Sequence, residues 1–126
     1  MEPSGYISLA IGNFLLTILS YAIAKASLSG NLTRNSALGI RTKHTTLSDA
    51  AWDAAHKKAA PYLMASAMVG AVAIVIDITF LLIFKSSTSD YHDLLIITPI
   101  MGFVIQVAVL ICAALSGNRE AKRYAN

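Results

Sequence analysis

Three long apolar blocks, at residues of about 6–25, 61–84 and 94–116, set the plan of this chain, and polar segments separate them. The apolar residues run through each block without an amphipathic period. Each block is about as long as the roughly 20 helical residues needed to cross a hydrocarbon core. Asp77 is the one charged residue well inside them. The pattern predicts an all-α integral membrane protein, a single membrane domain with three transmembrane helices. Residues 31–60 follow a different rule. Gly30-Asn31 is a helix stop signal, and residues 31–46 lack periodicity and are rich in Asn, Ser, Thr and Gly, which reads as loop. Thr46 or Ser48 then opens a helix with Asp49 at the positive end of its dipole. Good helix formers over 48–60 place Trp52, Ala55, His56, Ala59 and Leu63 on one face. Pro61 removes a backbone donor and restricts Ala60. A short interfacial amphipathic helix is therefore expected before the second span, with Trp52 at headgroup level and a turn at Pro61; a continuous helix with a mild kink is the alternative. Residues 117–126 form a basic tail.

Composition agrees with this plan. The chain is 56% hydrophobic and 13% charged with mean hydropathy +0.60, whereas soluble domains carry about 25% charged residues. Ala24-Lys25-Ala26 resembles a signal-peptidase site, but the apolar stretch before it is longer than a signal sequence uses, so the first block is expected to remain as a span. The cations are distributed unevenly. Lys25, Arg34, Arg41, Lys43, Lys57 and Lys58 fall between the first two spans and Arg119, Lys122 and Arg123 follow the third, against Lys85 alone on the other side. The positive-inside rule then places the N-terminus outside and the loop and C-terminus in the cytoplasm. The net charge of +3 accordingly describes a polarised membrane protein facing anionic lipid headgroups, with no direct nucleic-acid partner. Lone Cys112 excludes an internal disulfide.

The chemistry-bearing residues concentrate in the first polar segment. A guanidinium at Arg41, flanked by Gly39, Thr42 and Thr45, can take a phosphate or carboxylate bidentately. It can equally organise the loop by pairing with backbone carbonyls or with Asp49. His56, one turn after Trp52, is expected to pack on the indole or bond the loop; with only His44 on its side and no Cys nearby, no metal site is expected. The order Asn35, Gly39-Ile40-Arg41-Thr42, Thr45, Ser48, Trp52, His56, followed by a hydrophobic span, resembles the SdpI family of bacterial membrane proteins. The likeness is specific over about residues 35–59. It implies a multi-pass protein of the bacterial plasma (inner) membrane. It also implies binding roles for Asn35, Gly39, Arg41, Thr42, Thr45, Trp52 and His56. The family's namesake protects a cell against a secreted toxic peptide and sequesters a transcriptional repressor at the membrane. The resemblance therefore raises a toxin peptide and a repressor as partners. This chain, with three spans, is shorter than that immunity protein.

A second group lies within the spans. Asn13, Asp77 and Thr98, counted by helical rise, fall at similar depths in the outer half of the membrane. Intramembrane acids usually face the bundle interior. A cluster of these three is expected, with Asp77 bonded to Asn13 and with Thr17 and Gln106 deeper. It would serve as an outward-facing site, as interhelical glue, or as a contact for a partner subunit. Small residues at Ser8, Gly12, Ser66 and Gly70 permit close helix approach. No catalytic arrangement and no cofactor motif is present in the sequence, so the protein is not expected to be an enzyme. The expected function is binding, in protection against a secreted antimicrobial peptide, in signalling, or both. The alternatives are an accessory subunit of a larger membrane complex and a lipid-headgroup binder or minimal transporter.

Overall fold

The computed structural model describes residues 3–84 and 92–124, and within them the chain is helical apart from the polar loop. The helices are α1 (Pro3–Leu28), α2 (Asp49–Phe84) and α3 (His92–Ala121), and a 3-10 turn (Lys122–Tyr124) ends the described chain. All three helices are long and apolar enough to cross a membrane. The connection from α2 to α3, which carries Lys85, lies outside the described residues.

Burial is inverted relative to a water-soluble bundle. Ile11, Phe14, Val75, Leu82, Met101 and Val104 point outward, where hydrocarbon is the solvent. Small and polar side chains fill the inside: Asn13, Ser66, Gln106, Ala59, Ala73 and Ala113 are buried. Between membrane helices the driving force is close packing and interhelical hydrogen bonding, and both favour small and polar residues at the seams. The tightest approaches are at glycines. A Cβ on Gly102 would lie 2.6 Å from the Ala73 Cβ, and one on Gly117 would lie 3.1 Å from the Ala55 carbonyl oxygen. Both α1 and α3 pack on α2, and they meet one another only sparingly.

The end of α1 follows the stop signal. Gly30 takes φ +73° and the Asn31 amide donates to the Ala26 carbonyl at 2.9 Å, the six-to-one bond of a glycine-terminated helix. Ser48 caps α2, its Oγ accepting from the Ala51 amide at 3.0 Å.

The expected interfacial helix does not form as a separate element. α2 runs for 36 residues with Pro61 inside it. At 1.5 Å per residue that is about 54 Å, well beyond a core of about 30 Å, so residues 49–60 extend the second span outside the apolar zone. The reason is tertiary. Ala51, Ala55 and Ala59 before the proline and Leu63, Ser66 and Ala67 after it are all buried, in one continuous stripe, while the Pro61 ring itself is exposed. Turning the chain at Pro61 would break that seam. Continuing the helix through Pro61 forfeits one helix hydrogen bond and costs about 3 kcal/mol.

Candidate functional site

The loop between α1 and α2 folds by side chains bonding to backbone, not by secondary structure. Asn35 starts it: its Oδ1 accepts from the amides of Ala37 (2.8 Å) and Leu38 (2.7 Å), and its Nδ2 donates to the Thr33 carbonyl at 2.9 Å. One short side chain thus templates a turn. The chain then passes over the first turns of α2, and Gly39 makes this passage possible. Its φ is +110°, and a Cβ there would sit 2.6 Å from His56 Nε2 and 2.9 Å from the Trp52 indole. Both the dihedral and the space call for glycine.

The next residues lock onto α2. The Ile40 amide donates to His56 Nε2 at 2.8 Å, and His56 Nδ1 lies 2.8 Å from the Trp52 carbonyl. An amide can only donate, so Nε2 is the acceptor and Nδ1 carries the proton. His56 is therefore neutral in a single tautomer. Burial pushes its pKa below the ordinary histidine value, against smaller opposing effects of the Trp52 carbonyl and the Asp53 charge. The rings of Trp52 and His56 stack with centroids 4.2 Å apart, and Trp52 Nε1 donates back to the Leu32 carbonyl at 2.8 Å. The Ile40 side chain packs on the cluster of Ala24, Ala59, Leu63 and Ala113, which brings all three helices together under the loop.

Thr42 and Thr45 close the turn. The Thr45 hydroxyl, fully buried, accepts from the Thr42 amide at 2.8 Å and donates to the Ile40 carbonyl at 2.8 Å. The Thr42 hydroxyl donates to Asn118 Oδ1 at 2.5 Å, which ties the loop to the end of α3. Six of the seven motif residues are thereby used inside the fold. Arg41 is the exception. It is exposed, and among the described residues its one hydrogen bond is from Nη1 to the Ser36 carbonyl at 3.0 Å. Asp49 pairs instead with Arg34, at 3.1 Å from Nε, and Arg34 Nη1 also donates to the Thr46 carbonyl at 3.0 Å. Sequence reasoning passed over Arg34 and Asn118 because neither belongs to the spaced motif. His56 has both ring nitrogens engaged, and among the described residues no three His, Cys, Asp or Glu side chains converge as a metal site requires.

A sequence profile of the SdpI/YfhL protein family matches residues 31–116, more than half of the chain. The chain belongs to that family. The match takes in the loop, α2 and most of α3 and begins after α1. No curated protein and no solved structure shows a significant match.

Within the spans of this SdpI/YfhL member, the expected polar residues separate into three levels. Gln106 Nε2 donates to Thr17 Oγ1 and to the Ser66 carbonyl, both at 3.0 Å. This junction joins all three helices, and Gly70 leaves it room: a Cβ there would lie 1.9 Å from Thr17 Oγ1 and 2.1 Å from Gln106 Nε2. Gly12, in contrast, has nothing within 4 Å of such an atom. Asn13 and Asp77 are both buried, but the expected bond between them is not made. Neither amide atom of Asn13 and not Oδ1 of Asp77 has a hydrogen-bond partner among the described residues. The packing register explains this. Asn13 Nδ2 would be 3.4 Å from a Cβ on Gly102, which also faces Ala73. Asp77 and Thr98 each stand four residues, about 6 Å, further toward the opposite end of the bundle. Thr98 is half-buried there.

Proposed function

We propose that this SdpI/YfhL member works by binding in the bacterial plasma membrane. Its role is protection of the cell against a secreted antimicrobial peptide, signalling across the membrane, or both. The N-terminus lies outside, and the loop and C-terminus face the cytoplasm, as the nine cations on the loop side against Lys85 on the other support. The observation that carries the reading is the division of labour in the motif. Asn35, Gly39, Thr42, Thr45, Trp52 and His56 build a rigid cap on the bundle, and Arg41 and Lys43 are exposed on it without an ion pair among the described residues. A surface held this firmly, with its cations left unpaired, suits recognition of an acidic group on a cytoplasmic partner such as a repressor. Toxin arriving from outside meets the opposite end, near Asp77. That acid is only 6% exposed, which favours a role inside the bundle over docking of a larger subunit.

Deletion of the gene, followed by challenge with secreted peptides of competing bacteria, tests the proposal. Sensitisation reversed by the wild-type gene is the expected result. An Arg41→Ala protein that accumulates in the membrane normally is expected to restore less protection or signalling. Unchanged resistance together with stoichiometric copurification of a larger membrane protein would overturn the proposal in favour of an accessory subunit.

A further inference from the structure

Because α1 and α3 both pack on α2 and barely meet each other, a crevice opens between them on the loop side of the bundle. It encloses about 300 Å³, the lower end of small-molecule sites. Its walls are apolar: Leu16, Leu19 and Ile23 of α1 face Leu110 of α3. Two features break that character. Ser20 lies in the wall at 2% exposure, and its Oγ has no hydrogen-bond partner among the described residues. Its neighbours on the same helix return their hydroxyls to the backbone four residues earlier, Thr17 to Asn13 at 2.7 Å and Ser27 to Ile23 at 2.6 Å. Ser20 does not. The second feature is Arg41, which borders the crevice where the loop crosses it. One of its donors goes to Ser36, and a guanidinium has five.

We propose that this crevice is a binding site for one anionic phospholipid of the loop-side leaflet. The glycerol region lies beside Ile23, between Ser20 and the loop, and an acyl chain runs on along Leu19 and Leu16, deeper on α1 than Ser20. The Ser20 hydroxyl donates to an ester carbonyl, and the phosphate sits on Arg41. The order of groups matches the order in a glycerophospholipid: charge at the interface, a hydrogen-bond acceptor just below it, then hydrocarbon. Charge complementarity selects the anionic headgroup, since Arg41 has no acidic partner among the described residues and Lys43 is exposed beside it in sequence. An ordinary annular lipid needs neither a cation at this point nor a buried hydroxyl. The crevice also explains why the loop must be rigid, because Gly39, Ile40, Arg41 and Thr42 form its rim. Its α1 wall precedes the family match; the proposal shares Arg41 with the reading of the loop as a recognition surface, and Ser20 and the crevice-filling variants distinguish the two.

The test uses the full-length protein in phosphatidylcholine vesicles carrying a trace of spin-labelled phosphatidylglycerol or spin-labelled phosphatidylcholine. Electron spin resonance reports the motionally restricted fraction. The expected result is a restricted component with about fivefold preference for phosphatidylglycerol, the effect of one cation at the membrane surface. Arg41→Ala removes the preference, and Ser20→Ala weakens retention of both lipids. Leu19→Trp and Leu110→Trp, two independent ways to fill the crevice, each reduce the restricted component. Equal restriction of the two lipids by wild type overturns the proposal. So does a phosphatidylglycerol preference that survives in whichever filling variant folds, as judged by circular dichroism. Displacement of the labelled lipid by soluble glycerol phosphate would reduce the site to a headgroup pocket and overturn the acyl-chain assignment.

Discussion

The Ile40 amide and His56 Nε2, sixteen residues apart in sequence and 2.8 Å apart in space, form the bond that seats the loop on α2. It exists only while His56 is neutral. Burial lowers the His56 pKa from its ordinary value, so the unfolded chain takes up a proton at higher pH than the folded one. The unfolded state is then the better proton binder at mildly acid pH, and stability falls as pH drops. The loss begins near the unfolded histidine value of about 6.5, above which the contribution is complete, and continues down to the folded pKa. Hydrogen exchange of the loop amides between about pH 8 and pH 5, corrected for intrinsic exchange, should show Ile40 losing protection first. A His56→Gln protein, able to accept from Ile40 without titrating, should lose that pH dependence. If both proteins respond alike, His56 is not the group responsible.

Gly39 is held by two constraints at once, a left-handed φ of +110° and Trp52 and His56 within 2.9 Å of a would-be Cβ. Gly39→Ala should therefore destabilise the protein by about 2–4 kcal/mol, combining backbone strain with overpacking. The expected readout is sharply reduced accumulation in the membrane and early loss of Trp52 burial, followed by its fluorescence during unfolding. Gly30 gives the internal comparison. Its φ of +73° is also left-handed, but nothing lies within 4 Å of a Cβ, so Gly30→Ala should cost about 1 kcal/mol.

These two glycines also show what the sequence could and could not reveal. Gly30-Asn31 is a local signal, complete within a helix turn, and α1 ends there. The three spans are legible for a similar reason, since a long apolar run has one outcome in a bilayer. Ser48 as a cap is local too. Residues whose fate depends on packing were harder to read. Pro61 reads as a bend from its own chemistry, yet the helix is continuous through it, with a buried stripe from Ala51 to Ala67 on both sides. Arg41 reads as a partner either for backbone carbonyls or for Asp49; it takes the Ser36 carbonyl, and Arg34 takes Asp49. Asn13 and Asp77 fall at one depth when each helix is counted from its own end. The helix register then sets them a turn apart, with Asn13 beside Gly102.

The junction of Gln106, Thr17 and Ser66 makes Gly70 intolerant of a side chain. A Cβ at 1.9 Å from Thr17 Oγ1 must push α1 or Gln106 away and break bonds worth about 0.6–2 kcal/mol each in membranes. Gly70→Ala should lower stability by about 2 kcal/mol or more. Gly12→Ala, with open space at its Cβ, should be neutral or stabilising by up to about 1 kcal/mol through helix propensity. Unfolding in mixed detergent micelles would compare the two. Equal effects would show that α1 does not pack on the junction as described.

Arg34 and Arg41 look alike in sequence and differ in attachment. Arg34 binds both Asp49 and the Thr46 carbonyl, strapping the loop to the start of α2, although both charged partners are partly solvated. Arg34→Ala should then cost about 0.2–1 kcal/mol, with most of the effect disappearing at high salt. Arg41 holds only the Ser36 carbonyl on the exposed side of the loop. Arg41→Ala should leave stability within about 0.5 kcal/mol of wild type and loop hydrogen exchange unchanged. Running both variants through the same unfolding measurement separates scaffold from surface. Should Arg41→Ala prove as destabilising as Arg34→Ala, Arg41 belongs to the fold, and recognition on this cap must be sought at Lys43 or elsewhere.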